Sequence, residues 1–562
     1  MSRMRFYELV PGLLSWTTII LMFLLSWLIP AGVAIFIILF DIYWLLKTIY
    51  LSLHLRATFK KMRENLKIDW LTKLTNNQQP TTNNWKDIYH LIILPMYNEP
   101  FEVVKESFDT LANTNYPKDR FIVVLATEAR ARSAGASTEP FSGESLRTVE
   151  PLSRMSSGQA DSSVNETAKK IEQQYKNKFF KFLITIHPTD LPNEIPGKGS
   201  NETWAAREVK KLIIDPLIEE SKNLISVNPR SNQRAPRSEL RSAIRGESAL
   251  LSSYDNILVS VFDVDTQVPL NYFGNLTYKF LTAKHPQRSS FQPVSLFANN
   301  IFQAPALARV IAFSSTFWHM IQQSRPERLT TFSSHSMPFK AVVEIGFWQT
   351  DIVSEDSRIF WQCYLHYNGD WRVVPLDYPV SMDANVAKTF WQTMINQYKQ
   401  QRRWGWGCEN IPYLLDGFKK NKKITWTKKL YWKFNYIEGF HSWATNSLII
   451  FALGWLPILL GGPDFKFSLL SYNLPLVTKT IMDLAMIGII TSAILGIALL
   501  PPKPEWFKKR HYFLYFIQWI LMPFTLIIFG AFPALESQTR LMLGGKFRLG
   551  FWVTPKHRET SS

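Results

Sequence analysis

Three short groups of residues stand in a fixed order along the chain, and each has a chemistry of its own. Asp263-Val264-Asp265 follows the apolar run Asn256-Ile257-Leu258-Val259-Ser260-Val261-Phe262. If that run is a strand, the alternation of its side chains sends both carboxylates the same way at its carboxyl end. Convergent carboxylates suit a hard divalent cation, Mg2+ or Mn2+, which takes oxygen ligands together with substrate phosphates. A turn-capping role for the same pair is the plainer alternative. Ser354-Glu355-Asp356 stands before Arg358-Ile359-Phe360-Trp361, where Asp356 is either a proton acceptor or part of an acidic first turn capped by Ser354. Both roles are compatible, since a helix start is a rigid platform for a carboxylate. Gln400-x-x-Arg403-Trp404 adds a guanidinium able to clamp phosphate oxygens and an indole whose flat face fits a sugar ring. It ends a stretch with Phe390, Trp391, Met394, Ile395 and Tyr398 on one helical face, which predicts a helix lying in a membrane interface.

The elements that must position these groups alternate between strand and helix from about residue 83 to 383. Strands are predicted at 90–94, 120–125, 180–186 and 257–262, and helices at 100–113, 168–177 and 201–214. Such alternation predicts a parallel sheet covered by helices, with ligands at the carboxyl ends of the strands. Two segments interrupt it. Residues 130–163 are rich in Ser, Gly and Thr without apolar periodicity and read as a surface insertion. Residues 223–252 carry Arg230, Arg234, Arg237, Arg241 and Arg245 at a helical spacing that could meet anionic lipid, but Pro229 and Pro236 favour a solvated basic linker.

The chain ends are apolar. Residues 10–29 and 444–462 carry no charge and are long enough to cross a bilayer. A second apolar run, 31–46, follows the first across Pro30-Ala31-Gly32 with no small-residue cleavage site between, so the pair reads as a membrane hairpin rather than a removable signal. Arg3 and Arg5 precede it and Arg56, Lys60, Lys61 and Arg63 follow it, which places both ends, and the domain after them, in the cytoplasm. Asp41 inside the second run is a functional intramembrane charge by default, or more plainly a partner of Lys47 or a side chain snorkelling to the interface. The net charge of +18 fits cytoplasmic Lys and Arg flanking membrane segments, and no nucleic-acid motif accompanies it. With two cysteines, Cys363 and Cys408, the chain has neither a disulfide framework nor a zinc site. Three more apolar segments, 442–462, 476–500 and 512–535, would leave the tail outside if each crosses once. The tail cations Arg540, Lys546, Arg548, Lys556 and Arg558 favour a cytoplasmic tail, and Pro523 and Pro533 could make the last segment re-entrant.

The ordered trio of motifs resembles the D,D,QxxRW pattern of the family 2 membrane glycosyltransferases, which include cellulose, chitin and hyaluronan synthases. Pro95-Met96-Tyr97-Asn98-Glu99-Pro100 is similar to the family's P-x-Y-N-E opening, and Pro196-Gly197-Lys198-Gly199-Ser200-Asn201 to its Gly-Lys segment. The resemblance implies a GT-A-type, Rossmann-like α/β domain. Tyr97, Asn98, Glu99, Lys198, Asn201, Asp263, Gln400 and Arg403 would meet the donor, and Asp263 and Asp265 the metal. Glu128 would stand where the family usually has an Asp after its second strand. Asp356 is the implied catalytic base, and Ser334, His335, Glu355 and Trp404 the implied acceptor contacts, with Phe332-Ser333-Ser334-His335-Ser336 in the place of the small-residue acceptor loop. Phe551-Trp552-Val553-Thr554-Pro555-Lys556 is similar to the F-x-V-T-x-K gating loop of cellulose synthases, although here it follows the last apolar segment.

The expected organisation is a membrane hairpin over 1–55, a cytoplasmic GT-A domain over 56–385 and interface helices with QxxRW over 386–436. Membrane segments over 437–535 and a basic tail over 536–562 complete it. The expected activity is inverting transfer from a nucleotide sugar, UDP-linked by preference, to a growing polysaccharide at the cell membrane. The expected partners are therefore a nucleotide-sugar donor, a glycan or lipid-linked acceptor and membrane lipids. Single transfer to a lipid-linked acceptor is the first alternative, though such enzymes usually lack QxxRW. A non-catalytic scaffold or a transporter is the second, but no repeated halves of charged or broken helices are visible.

Overall fold

The computed structural model describes residues 3–76, 84–130, 166–189, 191–226, 251, 253–555 and 557–558. The two expected insertions, with the five arginines of the second, lie almost wholly outside the described residues, as does Lys556. In chain order the strands are β1 Tyr89–Pro95, β2 Phe121–Glu128, β3 Lys181–His187, β4 Ile257–Val261, β5 Ser289–Phe297, β6 Ser336–Pro338 and β7 Arg372–Met382. The described residues pack as two compact units, one of 69–287 and 333–352, the other of 1–68, 288–332 and 353–562.

The first unit holds the order β3-β2-β1-β4-β6. Pairings β1–β2, β2–β3 and β1–β4 are parallel, with Ile92 opposite Val123 on one side and Ser260 on the other. β1 and β2 are almost entirely buried, which is why both read as unbroken apolar runs rather than alternating ones. The expected parallel sheet is corrected at β6, which joins β4 antiparallel through Ser336–Pro338. So short a strand carries no periodic signal. Helices Phe101–Ala112, Glu166–Tyr175, Lys198–Val209 and Tyr272–Thr282 accompany the strands, each burying an apolar stripe or a row of small residues. His90 on β1 is fully buried, with Tyr116 and Phe273 ring centroids 4.8 and 4.9 Å away and Thr277 Oγ1 2.9 Å from its Nε2.

The second unit holds the parallel pair β5–β7 and the helix Ala306–Gln323, whose Val310, Phe313 and Phe317 share a buried cluster with Val294 and Met382. Among the described residues four helices are long and apolar enough to cross a membrane: Arg3–Leu28, Pro30–Asn65, Leu469–Ala498 and Lys509–Leu543. A fifth candidate is the pair Trp426–Phe451 and Leu453–Leu460, bent by 50°. Glycine permits two close approaches here. A Cβ on Gly12 would come within 2.7 Å of Met542 Cβ, and one on Gly461 within 2.7 Å of Pro30 Cβ. Pro30–Asn65 runs beyond membrane length, and its far end fastens to β7 through Lys61 Nζ and Asp377 Oδ2 at 2.6 Å and Asn65 Nδ2 to Asp377 O at 3.0 Å. Asp377 has φ +49°, a left-handed backbone rare for a residue with a Cβ.

The expected pairing of Asp41 with Lys47 is corrected. Lys47 instead meets Glu438 Oε1 at 3.2 Å, while Asp41 is buried.

Candidate active site

In the first unit the DVD sequence lies beyond the strand that announces it. β4 ends at Val261, and Thr266 N donates to Asp263 O at 2.8 Å, closing a turn over Asp263–Thr266. Pleat alternation therefore does not aim the two carboxylates, and they differ in setting. Asp265 is fully buried; the Asp263 side chain is 31% exposed. Both Asp263 oxygens are engaged, Oδ1 by Lys198 Nζ at 2.9 Å and Oδ2 by the Ser333 hydroxyl at 2.8 Å. An ammonium at that distance stands where a cation is wanted, so the Asp263 carboxylate offers hard-oxygen ligands that fit a divalent ion.

Lys198 opens a helix of twelve residues directly after Gly197, and its Nζ also lies 3.5 Å from Glu202 Oε1 one turn on. First-turn N–H groups and the helix dipole make that end hospitable to phosphate. Asn201 does not face a ligand with its amide nitrogen. Nδ2 donates to Ala126 O at 2.8 Å, the same carbonyl that receives Met96 N at 2.8 Å. The Gly-Lys segment and the P-x-Y-N-E segment are thus pinned to one point on β2. Glu99 Oε2 accepts Tyr97 N at 2.7 Å and holds that turn, leaving Asn98 exposed.

Glu128, at the end of β2, pairs with Arg130, whose guanidinium lies 4.8 Å from the Tyr97 ring centroid. Its neighbour in register is His187, which meets Glu194 Oε2 at 2.9 Å. Arg130, His187, Glu194 and Ser333 were not foreseen. Ser333 lay inside the quoted Phe332–Ser336 loop and Arg130 at the edge of the 130–163 segment, while His187 and Glu194 stood beside the third strand and the Gly-Lys segment, none of them with a role assigned. Ser334 and His335 are fully buried, with Ser334 at φ +67° and His335 O accepting Val261 N at 3.1 Å.

In the second unit the Ser-Glu-Asp group opens the helix Glu355–His366, but the expected side-chain cap is absent. Ser354 N and Oγ both donate to Glu409 Oε1, at 2.9 and 2.6 Å, and Val353 N joins them at 3.1 Å. Trp406 Nε1 holds the other carboxylate oxygen at 2.9 Å. Asn410 adds bonds from Nδ2 to Ser354 Oγ and Ser357 Oγ, at 3.2 and 2.9 Å. Glu355 is buried and Asp356 half-buried, with Thr331 Oγ1 donating to the Asp356 carbonyl at 2.6 Å.

QxxRW ends the helix Phe390–Gly405, capped at its start by the Thr389 hydroxyl. The expected apolar face divides. Phe390, Trp391 and Ile395 are exposed, whereas Met394 is buried and Tyr398 gives its hydroxyl to Glu536 at 2.9 Å. The buried side is amide-rich: Gln400 Oε1 accepts Gln397 Nε2 at 3.3 Å and Asn385 Nδ2 at 3.4 Å. Trp404 packs on Phe297, ring centroids 5.8 Å apart, and stays half-buried. Arg403 lies 5.2 Å from the Phe551 ring and Lys399 5.6 Å from the Trp552 ring. Arg558 then grips Asp383 with Nη2 and Nε, at 2.6 and 3.1 Å. The tail motif therefore covers the QxxRW helix, an association that 148 residues of separation concealed between Arg403 and Phe551.

Residues 258–531 match the family model described as "Glycosyl transferase family group 2". No curated protein matches the chain. Among solved structures, the mannosyltransferase PcManGT from Pyrobaculum calidifontis, in complex with GDP-Man and Mn2+, aligns at 12% identity. That alignment covers 82% of this chain and 99% of that one with a TM-score of 0.34. S. aureus TarS 1-349, in complex with UDP-GlcNAc, aligns at 10% identity over 80% of this chain and 91% of that one with a TM-score of 0.33. Residues 258–531 thus carry a glycosyltransferase domain of family group 2, in a chain whose described strands form a mixed parallel and antiparallel sheet flanked by helices.

Proposed function

We propose that the chain is a membrane-embedded inverting glycosyltransferase that moves a sugar from a nucleotide sugar, UDP-linked by preference, to the end of a growing polysaccharide. One observation carries the reading. The Glu409 carboxylate, just past QxxRW, holds Ser354 and Val353, so the base-bearing turn and the acceptor-bearing helix end form one hydrogen-bonded piece. Precise placement of this kind is what an in-line displacement needs.

Asp356 takes the proton of the acceptor hydroxyl as that oxygen bonds to the anomeric carbon from the face opposite the leaving group. The bond from that carbon to the diphosphate breaks, and its electron pair leaves on the phosphate oxygen. Lys198 and Arg403 are the cations that favour the departing diphosphate. Asp263 and Asp265 would hold Mg2+ or Mn2+, which when bound neutralises charge on the diphosphate. Tyr97, Asn98, Glu99, Glu128 and Asn201 frame the nucleotide, Gln400 completes the donor pocket, and Trp404 faces the acceptor sugar. Ser334, His335 and Glu355 are the further acceptor residues of this reading. The tail motif lying on Arg403 and Lys399 favours polymer synthesis over a single lipid-linked transfer.

Contacts within the second unit support one reading of the membrane topology. Gly461 packs against Pro30, the turn of the first hairpin, so the bent pair ends on the side of that turn. The helix Leu469–Ala498 returns. In the early turns of the last helix the Tyr515 ring lies 4.1 Å from the Arg309 guanidinium, and at its end Arg5 donates to the carbonyls of Leu541 and Leu543 at 2.9 and 2.8 Å. On this reading both of its ends lie on the side of the chain's start, and four crossings would put the tail in the cytoplasm, as its cations favour.

The test is a panel of nucleotide sugars with release of nucleoside diphosphate as readout, run on the native chain and on Asp356→Asn. A single accepted donor, with Asp356→Asn binding it but turning over at least about a hundredfold slower, is expected. Equal turnover by the variant would remove the base assignment.

A further inference from the structure

An open groove of about 390 Å3 lies between the helix Arg3–Leu28 and the end of the helix Lys509–Leu543. Trp16, Phe532, Leu535, Leu543 and Phe547 give it apolar walls, and Arg540 lines it. Trp16 Nε1 reaches across to Thr539 Oγ1 at 2.8 Å and ties the two helices together there. The groove is polarised along its length. From Phe532 to Leu543 the wall helix rises about 16 Å at 1.5 Å per residue, close to the reach of a fatty acyl chain. Around its other end stand Arg5, Arg540, Lys546 and Arg548 against Glu8 and Glu536, four cations to two carboxylates. The Arg540 side chain is 33% exposed, and Lys546 and Arg548 are exposed.

We propose that this groove holds one anionic phospholipid of the surrounding bilayer, its acyl chain leading from Leu535 past Phe532 into the membrane and its phosphate against Arg540 and Lys546. The polarity matches that ligand, apolar in the membrane and cationic where the last helix emerges. The inference rests on the membrane reading of these helices and not on the transfer reaction.

Such a lipid would be read by the QxxRW helix. Glu536 Oε1 accepts Arg540 Nε at 2.7 Å and Arg402 Nη1 at 2.8 Å, while Oε2 accepts the Tyr398 hydroxyl. A phosphate drawing Arg540 toward itself leaves the Glu536 carboxylate to Arg402 and Tyr398, and so tightens the helix that carries Arg403 and Trp404. The bilayer then tunes the site through one shared carboxylate.

The full chain, reconstituted in phosphatidylcholine nanodiscs containing a minor fraction of phosphatidylglycerol and then extracted, is weighed by native mass spectrometry for retained lipid. Preference for phosphatidylglycerol over phosphatidylcholine by about tenfold is expected, along with its loss in Arg540→Gln/Lys546→Gln. Leu535→Trp fills the groove without changing charge and is expected to lose retention of either lipid. Equal retention of both lipids by the native chain overturns the proposal, as does undiminished phosphatidylglycerol on the double variant. Undiminished retention by Leu535→Trp also overturns it, because the lipid would then be held by surface charge alone. If the double variant does not fold, the native preference and the Leu535→Trp result decide.

Discussion

Ser354 gives its hydroxyl to Glu409, at 2.6 Å, and not to the helix it precedes. A Ser before Glu-Asp would ordinarily cap its own helix. Here the hydroxyl and two backbone N–H groups converge on a carboxylate from another helix, and hydrogen bonds to a charged acceptor are each worth about 1.5–3 kcal/mol.

Glu409 is accordingly a positioning residue. Glu409→Ala is expected to lower kcat by about a hundredfold while the donor KM changes by less than about threefold, since a shift near 1 Å in Asp356 is enough for that loss. Glu409→Gln keeps one acceptor oxygen and should fall between. A proportionate rise in KM would show instead that the donor pocket had collapsed.

Metal dependence tests the first unit. Asp265→Ala should abolish turnover, and so should excess EDTA on the native chain, with activity restored by Mg2+ or Mn2+. Lys198→Met leaves the carboxylates in place but removes the ammonium 2.9 Å from Asp263, so the donor KM should rise by about tenfold or more. Undiminished turnover in EDTA would assign the two carboxylates to the turn alone.

What the sequence disclosed and what it hid have separate physical causes. β1, β2 and β4 were legible because buried parallel strands are apolar runs bounded by turn residues, and β3, only partly buried, because Phe182-Leu183-Ile184 still makes a short apolar run. The helix Ala306–Gln323 and strands β5 to β7 were not assigned. β5 mixes Ser and Gln with apolar residues and is nonetheless almost wholly buried, and β7 breaks its alternation at the left-handed Asp377. The three acidic and aromatic motifs stood out by local spacing. Their partners Glu409, Ser333 and Arg130 did not, because a hydrogen bond between distant segments leaves no periodic trace.

Burial of His90 sets an acid limit. Burial pushes its imidazole down to about 3, so it remains neutral in the fold where the unfolded chain would protonate it below about 6.5. The unfolded state therefore binds the extra proton, and stability is complete above about pH 6.5 and falls as pH drops toward 3. Between pH 6.5 and 5 few carboxylates titrate, but His319, pushed down to about 3 by the same burial, adds a slope of its own, so the His90 contribution is read as the difference between the native chain and the variant. Thermal unfolding across that interval should slope downward with acid for the native chain and less steeply for His90→Asn. Parallel slopes would refute a neutral buried His90.

The final prediction separates elongation from donor binding. One face of Trp404 packs on Phe297, and the side chain remains half-buried, so part of its surface is available to a sugar ring. The donor groups Lys198, Asp263 and Asp265 belong to the other unit and do not depend on that indole for their hydrogen bonds. Trp404→Ala should therefore keep nucleotide affinity within about threefold while product length collapses, because each added sugar would lose its stacking surface. If Trp404 served only to fill the cluster with Phe297, the variant would lose stability but would make products of normal length per active molecule. Chain length and nucleotide affinity, measured together on monodisperse protein in lipid, distinguish the two. Trp404→Phe supplies the control, since it retains an aromatic face and should restore a large part of the length if stacking is the cause.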